Sequence, residues 1–172
     1  MSVALTLQQF NALSEADAAD VLRQCCAAEA WIKAMVASRP YDTLSAVLQQ
    51  ADKHWATMDV ANLLEAFSAH PQIGNVDTLR AKYANTKVLA SGEQSAVSDA
   101  DETTLQALAT GNQDYLEKNG FIFIVCATGK SAGEMLALLQ ERLPNSRAQE
   151  LINAAEEQRK ITALRLQKLF QA

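Results

Sequence analysis

The sequence predicts an all-α fold, a single compact multi-helix domain crossed by one extended buried connector. Three observations point to it. Only six Gly and three Pro are spread over 172 residues while Ala, Leu and Gln abound, a composition that favours helix. Apolar residues recur at i, i+3 and i+4 through most of the chain. Ser and Asp stand where helices would start, twice with Glu or Gln three residues later. A hydrophobic content of 49% at this length suits one sizeable core.

Ser14, followed by Glu15 and Asp17, opens a predicted long helix through Val21, Leu22, Cys25 and Trp31 to Ser38. Arg39-Pro40 stops it, because proline disfavours helical geometry in the residue before it. From Asp42, the stripe Leu44, Val47, Leu48, Ala51 and Trp55 predicts the next helix. Asp59 caps another that carries Leu63, Leu64 and Phe67 and reaches His70-Pro71. Residues 71–99 are less regular, with Gly74 and Gly92, and read as loops with short helices near 78–83 and 91–97. Ser98 or Asp99 starts a helix through Leu105, Leu108, Tyr115 and Leu116 that ends at Asn119-Gly120, where Gly supplies a left-handed terminus.

Residues 121–127, Phe-Ile-Phe-Ile-Val-Cys-Ala, alone have strand-like composition. With no second β-rich run to pair with, they read as an extended connector threading the core or as the start of a helix. Ser131-x-x-Glu134 and Ser146-x-x-Gln149 are capping-box patterns. They open helices of about three and six turns, judged from the distance to Pro144 and to the last residue.

The formal net charge of −5 argues against a general affinity for nucleic acid or an anionic membrane. Three cysteines without a CxxC pair indicate neither a disulfide framework nor a zinc knuckle. The opening MSVALTLQQF lacks a positive n-region, no apolar run approaches the ~20 residues that span a bilayer, and the last residues carry no peroxisomal tripeptide. A soluble cytoplasmic protein is expected.

Two histidines are present. His54 lies beside Trp55 in an amphipathic helix, where an edge position explains it. His70 ends a helix directly before Pro71 and Gln72-Ile73-Gly74, so its ring leaves the helix at a fixed angle. The negative helix end raises its pKa while burial lowers it. An imidazole near neutrality suits proton transfer, although local physics alone favours a structural histidine at the helix end. No HxxxH, HExxH or CxxC is present, so no metal is expected. Cys126, in an apolar run, reads as a packing thiol rather than a nucleophile. Arg165 sits beside Leu164, four residues from Ile161 and Leu169, and so either snorkels outward or is held inward to meet an anion. Glu93 and Gln94 fall in the irregular stretch without a helical pair.

These residues, taken in order, resemble the 2-oxo-4-hydroxy-4-carboxy-5-ureidoimidazoline (OHCU) decarboxylases. Trp31, Arg39-Pro40 and Glu65-Ala66-Phe67 leading to His70-Pro71-Gln72-Ile73-Gly74 resemble the family's N-terminal half, and Glu93-Gln94 its central acidic motif. The run from Phe121 through Lys130-Ser131 with Glu134-Met135-Leu136 is the most specific stretch. Arg142-Leu143, Asn145, Glu150, Glu157-Gln158, Lys160-Ile161 and Leu164-Arg165-Leu166 complete the pattern. The resemblance implies one OHCU decarboxylase-like domain over residues 1–172, all-α, a homodimer, with no cofactor. It implies decarboxylation of an unstable urate-oxidation intermediate to (S)-allantoin. It carries the acid/base role to His70 and the holding of substrate to Glu93, Gln94 and Arg165, making His70, Glu93 and Arg165 the catalytic set. Pro71 and the backbone of Phe123, Ile124, Val125, Cys126 and Ala127 would line the pocket. Where the family commonly has Ser three residues before the Glu, this chain has Ala90, with Ser91 next. Two other readings use the same residues: a cyclic-ureide hydrolase or isomerase, and a non-catalytic helical interaction domain in which His70 is structural.

Overall fold

The computed structural model describes residues 5–71, 76–77 and 98–170. Among these the regular structure is helical, with eight bounded helices and no strand. They are α1 (Leu7–Ala12), α2 (Glu15–Arg23), α3 (Glu29–Ala37), α4 (Leu44–Trp55), α5 (Val60–Ser68), α6 (Ser98–Asn119), α7 (Ala132–Arg142) and α8 (Arg147–Leu169). None of the described helices is long and apolar enough to cross a membrane. The chain divides into two compact units. The first comprises Met1–His70, Ile124–Cys126 and Asn153–Ala172, and the second Pro71–Phe123 and Ala127–Ile152.

In the first unit most helix starts follow the sequence. The side chains of Ser14, Thr43 and Asp59 accept from backbone N–H groups of the first turns of α2, α4 and α5, each such cap contributing about 0.5–2 kcal/mol. For α4 the cap is Thr43, one residue beyond the expected start at Asp42. The first helix, α1, was not anticipated. Its signal was Thr6-x-x-Gln9, a complete capping box.

The long helix expected over residues 14–38 is two helices, a correction with a tertiary cause. The chain leaves helical geometry between Arg23 and Glu29, where Cys25, Cys26 and Ala28 are buried. The Cys25 carbonyl faces α8, accepting from Thr162 Oγ1 at 3.4 Å and Arg165 Nη1 at 3.3 Å. At the start of α3, Ala28 offers no capping side chain, and Glu65 of α5 accepts from Glu29 N at 3.0 Å instead. The core holds Phe10, Leu22, Trp31, Ile32, Met35, Val47, Phe67 and Leu166 at no more than 1% exposure. The polar tips of the large rings are satisfied: Trp31 Nε1 donates to Ala51 O, and Trp55 Nε1 to Ala155 O on α8.

In the second unit α6 ends as expected, with Gly120 at φ +77°, a conformation that costs glycine little. Gly111 marks the approach of α6 to α7: a Cβ there would lie 2.6 Å from Leu139 Cδ2. Ser131 and Glu134 form the expected capping box of α7, and Ser146 Oγ accepts from Gln149 N at the start of α8.

Residues 121–127 carry no regular structure, as expected of an extended connector. Phe121, Phe123 and Ile124 are buried. In the second unit Phe121 and Phe123 meet the Tyr115 ring edge-on at 5.8 and 5.3 Å. The Arg142 guanidinium lies 4.6 Å from the Phe123 ring centroid, within cation–π range. In the first unit Cys126 N donates to Glu157 Oε1 at 3.0 Å.

Candidate active site

A cavity of about 410 Å³ lies within the first unit, lined by Arg23, Gln24, Cys26, His70, Gln158 and Arg165 with three alanines. That volume falls inside the ~300–1,000 Å³ of ordinary small-molecule sites. His70 reaches it because α5 stops at Ser68 and the next turn is closed by His70 N donating to Phe67 O at 3.2 Å. Gln158, Thr162 and Arg165 come from α8. Residues 154, 158, 162 and 166 form one i, i+4 row that is buried throughout.

The His70 ring is half-buried, and its Nε2 lies 2.5 Å from Gln158 Oε1. Burial pushes its pKa below the ordinary 6.5; the Gln158 hydrogen bond opposes this and the Arg165 charge reinforces it. Burial therefore outweighs any raising effect of the helix end, and the neutral imidazole is favoured. The unfolded chain binds this proton more readily. The stabilising contribution is thus complete above pH 6.5 and is lost as pH falls from there through the lower pKa of the folded state.

Two arginines border the cavity with different partners. Arg23 pairs with Asp20 at 2.6 Å and Glu29 at 2.8 Å. Arg165 is exposed, touches the Cys25 carbonyl through Nη1, and has no carboxylate partner among the described residues. It therefore snorkels to the rim rather than lying within the apolar stripe, and an anion in the cavity could meet its charge. The thiols are unsuited to nucleophilic work. Burial pushes Cys25 up to about 12 and also raises Cys26, so neither is a thiolate near neutrality. Among the described residues no group of His, Cys, Asp or Glu is arranged to hold a metal ion. His54 does not line the cavity; it contacts Ser38 Oγ at 2.8 Å.

A profile of the family described as OHCU decarboxylase matches residues 11–167. The chain belongs to the OHCU decarboxylase family. It is 40% identical over 153 residues to the uric acid degradation bifunctional protein TTL of Arabidopsis thaliana, which covers 88% of this chain and 47% of that protein. The chain thus spans about half the length of that relative. It is 25% identical to the OHCU decarboxylase of Haloferax volcanii over 96% of each chain. A solved structure of OHCU decarboxylase in the presence of (S)-allantoin matches with a TM-score of 0.70 at 39% identity, covering 88% of this chain and 97% of that one.

Of the residues that the family resemblance assigned to the site, His70 and Arg165 lie on one cavity although 95 positions separate their numbers. Glu93, Gln94, Ala90 and Ser91 lie outside the described residues, as do the short helices expected near 78–83 and 91–97. Ile124, Val125 and Cys126 share the unit of His70 but do not line this cavity. Pro71, Phe123 and Ala127 belong to the second unit. The residue that single-residue reasoning missed is Gln158. Its signal was a pair of polar residues, Gln158 and Thr162, inside an otherwise apolar i, i+4 row.

Proposed function

We propose that the chain decarboxylates OHCU to (S)-allantoin in urate degradation without a cofactor, using His70 as acid/base and Arg165 as the anion contact. The supporting observation is the pairing, on one small-molecule-sized cavity, of an imidazole held neutral by burial with an arginine lacking a carboxylate partner among the described residues. Loss of carbon dioxide leaves an electron pair that flows into the ring, and a cation lowers the cost of that charge. A neutral imidazole takes the hydroxyl proton of the substrate or, once protonated, returns a proton to the carbanion on one face. Glu93 and Gln94 complete the substrate contacts in this reading, with Pro71, Ala90 or Ser91, and the backbone of residues 123–127 as further lining.

The test adds the protein to freshly oxidised urate, with and without chelator, and follows carbon dioxide and circular dichroism. One enantiomer of allantoin, released with carbon dioxide and unaffected by chelation, is the expected result. Racemic product at the spontaneous rate would overturn the reading, and ring opening without carbon dioxide would indicate a hydrolase or isomerase.

Two further outcomes are expected. The acid limb of kcat/KM should lie below pH 6.5, because catalysis needs the neutral imidazole and the fold lowers its pKa; a limb above 6.5 contradicts this. Arg165→Lys keeps the charge but loses the planar fork, so KM should rise at least as much as kcat falls. Steady-state kinetics on the two proteins decides it.

The reading extends to a cytoplasmic homodimer folded as one domain over residues 1–172. The buried thiols of Cys25 and Cys26 suit a reducing compartment. The family match runs through both units. Light scattering and a single cooperative unfolding transition are the checks.

A further inference from the structure

We propose that Gln158 and Thr162 are positioning residues that lock neutral His70 in the tautomer protonated on Nε2, leaving Nδ1 as the nitrogen that exchanges the substrate proton. The tautomer lock stands on geometry alone, whereas the catalytic part rests on the decarboxylase reading above.

The argument is one of donors and acceptors. Gln158 is 1% exposed and Thr162 5%, so their polar atoms must satisfy one another or their neighbours. The Thr162 hydroxyl donates its single hydrogen to Cys25 O. Its oxygen therefore offers only lone pairs to Gln158, and the Gln158 amide nitrogen donates to it at 3.0 Å. That orientation turns the amide oxygen towards His70, 2.5 Å from Nε2. A carbonyl oxygen only accepts, so Nε2 carries the hydrogen and donates. A neutral imidazole has one N–H, and its lone pair is then on Nδ1, which has no protein partner among the described residues.

This arrangement suits repeated proton exchange. When Nδ1 gains a proton, the Nε2–H donor to Gln158 is unchanged, so no hydrogen bond of the supporting chain is broken or reoriented. Without Gln158, the ring is free to rotate and to place its hydrogen on either nitrogen. A buried acceptor that fixes a ring in this way is the same device that orients imidazoles bound to metals, where losing the partner costs about 10–100-fold.

The test uses the whole protein labelled with ¹⁵N, without substrate, at a pH where His70 is neutral. Only two histidines are present, and His54→Asn assigns the signals. The wild-type His70 is expected to show a protonated Nε2 with a slowly exchanging hydrogen and an unprotonated Nδ1. Gln158→Met removes the acceptor at similar length. It should lower kcat by about 10–100-fold with little change in KM and move the His70 titration further down. Gln158→Glu places a negative charge beside the Nε2–H and should move the titration up. Thr162→Val frees the amide to flip and should give mixed tautomers, which keeps the test open if Gln158→Met does not fold.

A wild-type His70 protonated on Nδ1 overturns the inference. So does a folded Gln158→Met protein with an unchanged titration and kcat. If the spectra are as expected but His70→Asn retains stereospecific activity, the decarboxylase assignment of His70 fails together with the catalytic part, and the tautomer lock alone stands. If His70 is required but the spectra show Nδ1–H, only this inference fails.

Discussion

Replacing His70 with Asn is expected to lower turnover by about 10²–10⁴-fold, the usual worth of a positioned acid/base group, with the fold and KM near wild type. Asn keeps a polar side chain after α5, although its amide nitrogen matches the position of Nδ1 rather than Nε2 and stops short of Gln158 Oε1, so a modest loss of stability accompanies the loss of turnover. What it lacks is a nitrogen that gains and loses a proton near neutral pH. The spontaneous reaction then dominates, and the allantoin formed should be racemic. Optical activity of the product, with a thermal-unfolding check on the variant, measures the effect. A well-folded His70→Asn protein that makes one enantiomer at near wild-type rate shows His70 to be structural.

The second large effect concerns the second unit and stability rather than chemistry. Glu150, whose side chain is 0% exposed, accepts from Arg142 Nε at 2.7 Å, Tyr115 Oη at 2.6 Å and Asn145 Nδ2 at 2.9 Å. Arg142, 10% exposed at the side chain, also packs its guanidinium over the Phe123 ring. Burial first, and then the Glu150 carboxylate, raise the Tyr115 pKa and keep its hydroxyl a donor. Removing one member of such a pair leaves the other charge buried and uncompensated, at a cost of about 3–5 kcal/mol. Glu150→Ala is therefore expected to lower Tm by roughly 6–20 °C for a chain of this size. The double variant Arg142→Met with Glu150→Leu removes both charges and should recover most of the loss. Calorimetry on the single and double variants decides it; equal losses in both would show that packing, not the unpaired charge, sets the cost.

Much of this protein is determined by local sequence chemistry. Ser14, Thr43, Asp59, Ser131 and Ser146 start helices because a short side-chain oxygen can satisfy an N–H that the helix leaves open. Gly120 ends α6 because it alone adopts positive φ cheaply. The run at residues 121–127 is legible because a strand-like apolar segment with no partner strand is left as a connector, held by burial of side chains such as Phe121, Phe123 and Ile124. The family, too, is readable from ordered blocks that run nearly the length of the chain. Only the tertiary structure decided the rest. Nothing between Arg23 and Glu29 breaks a helix by propensity; the break follows from contacts of the Cys25 carbonyl and Glu29 N with α8 and α5. The balance between burial and helix end at His70 was open in the sequence, because burial depends on elements distant along the chain, and burial prevails. Gln158 acquires its meaning from His70, 88 residues away, and Arg142 and Glu150 become one buried network rather than two ordinary helix charges. Caps and turns are set by neighbours within four residues, whereas desolvation and donor–acceptor pairing are set by whatever the fold packs against a side chain.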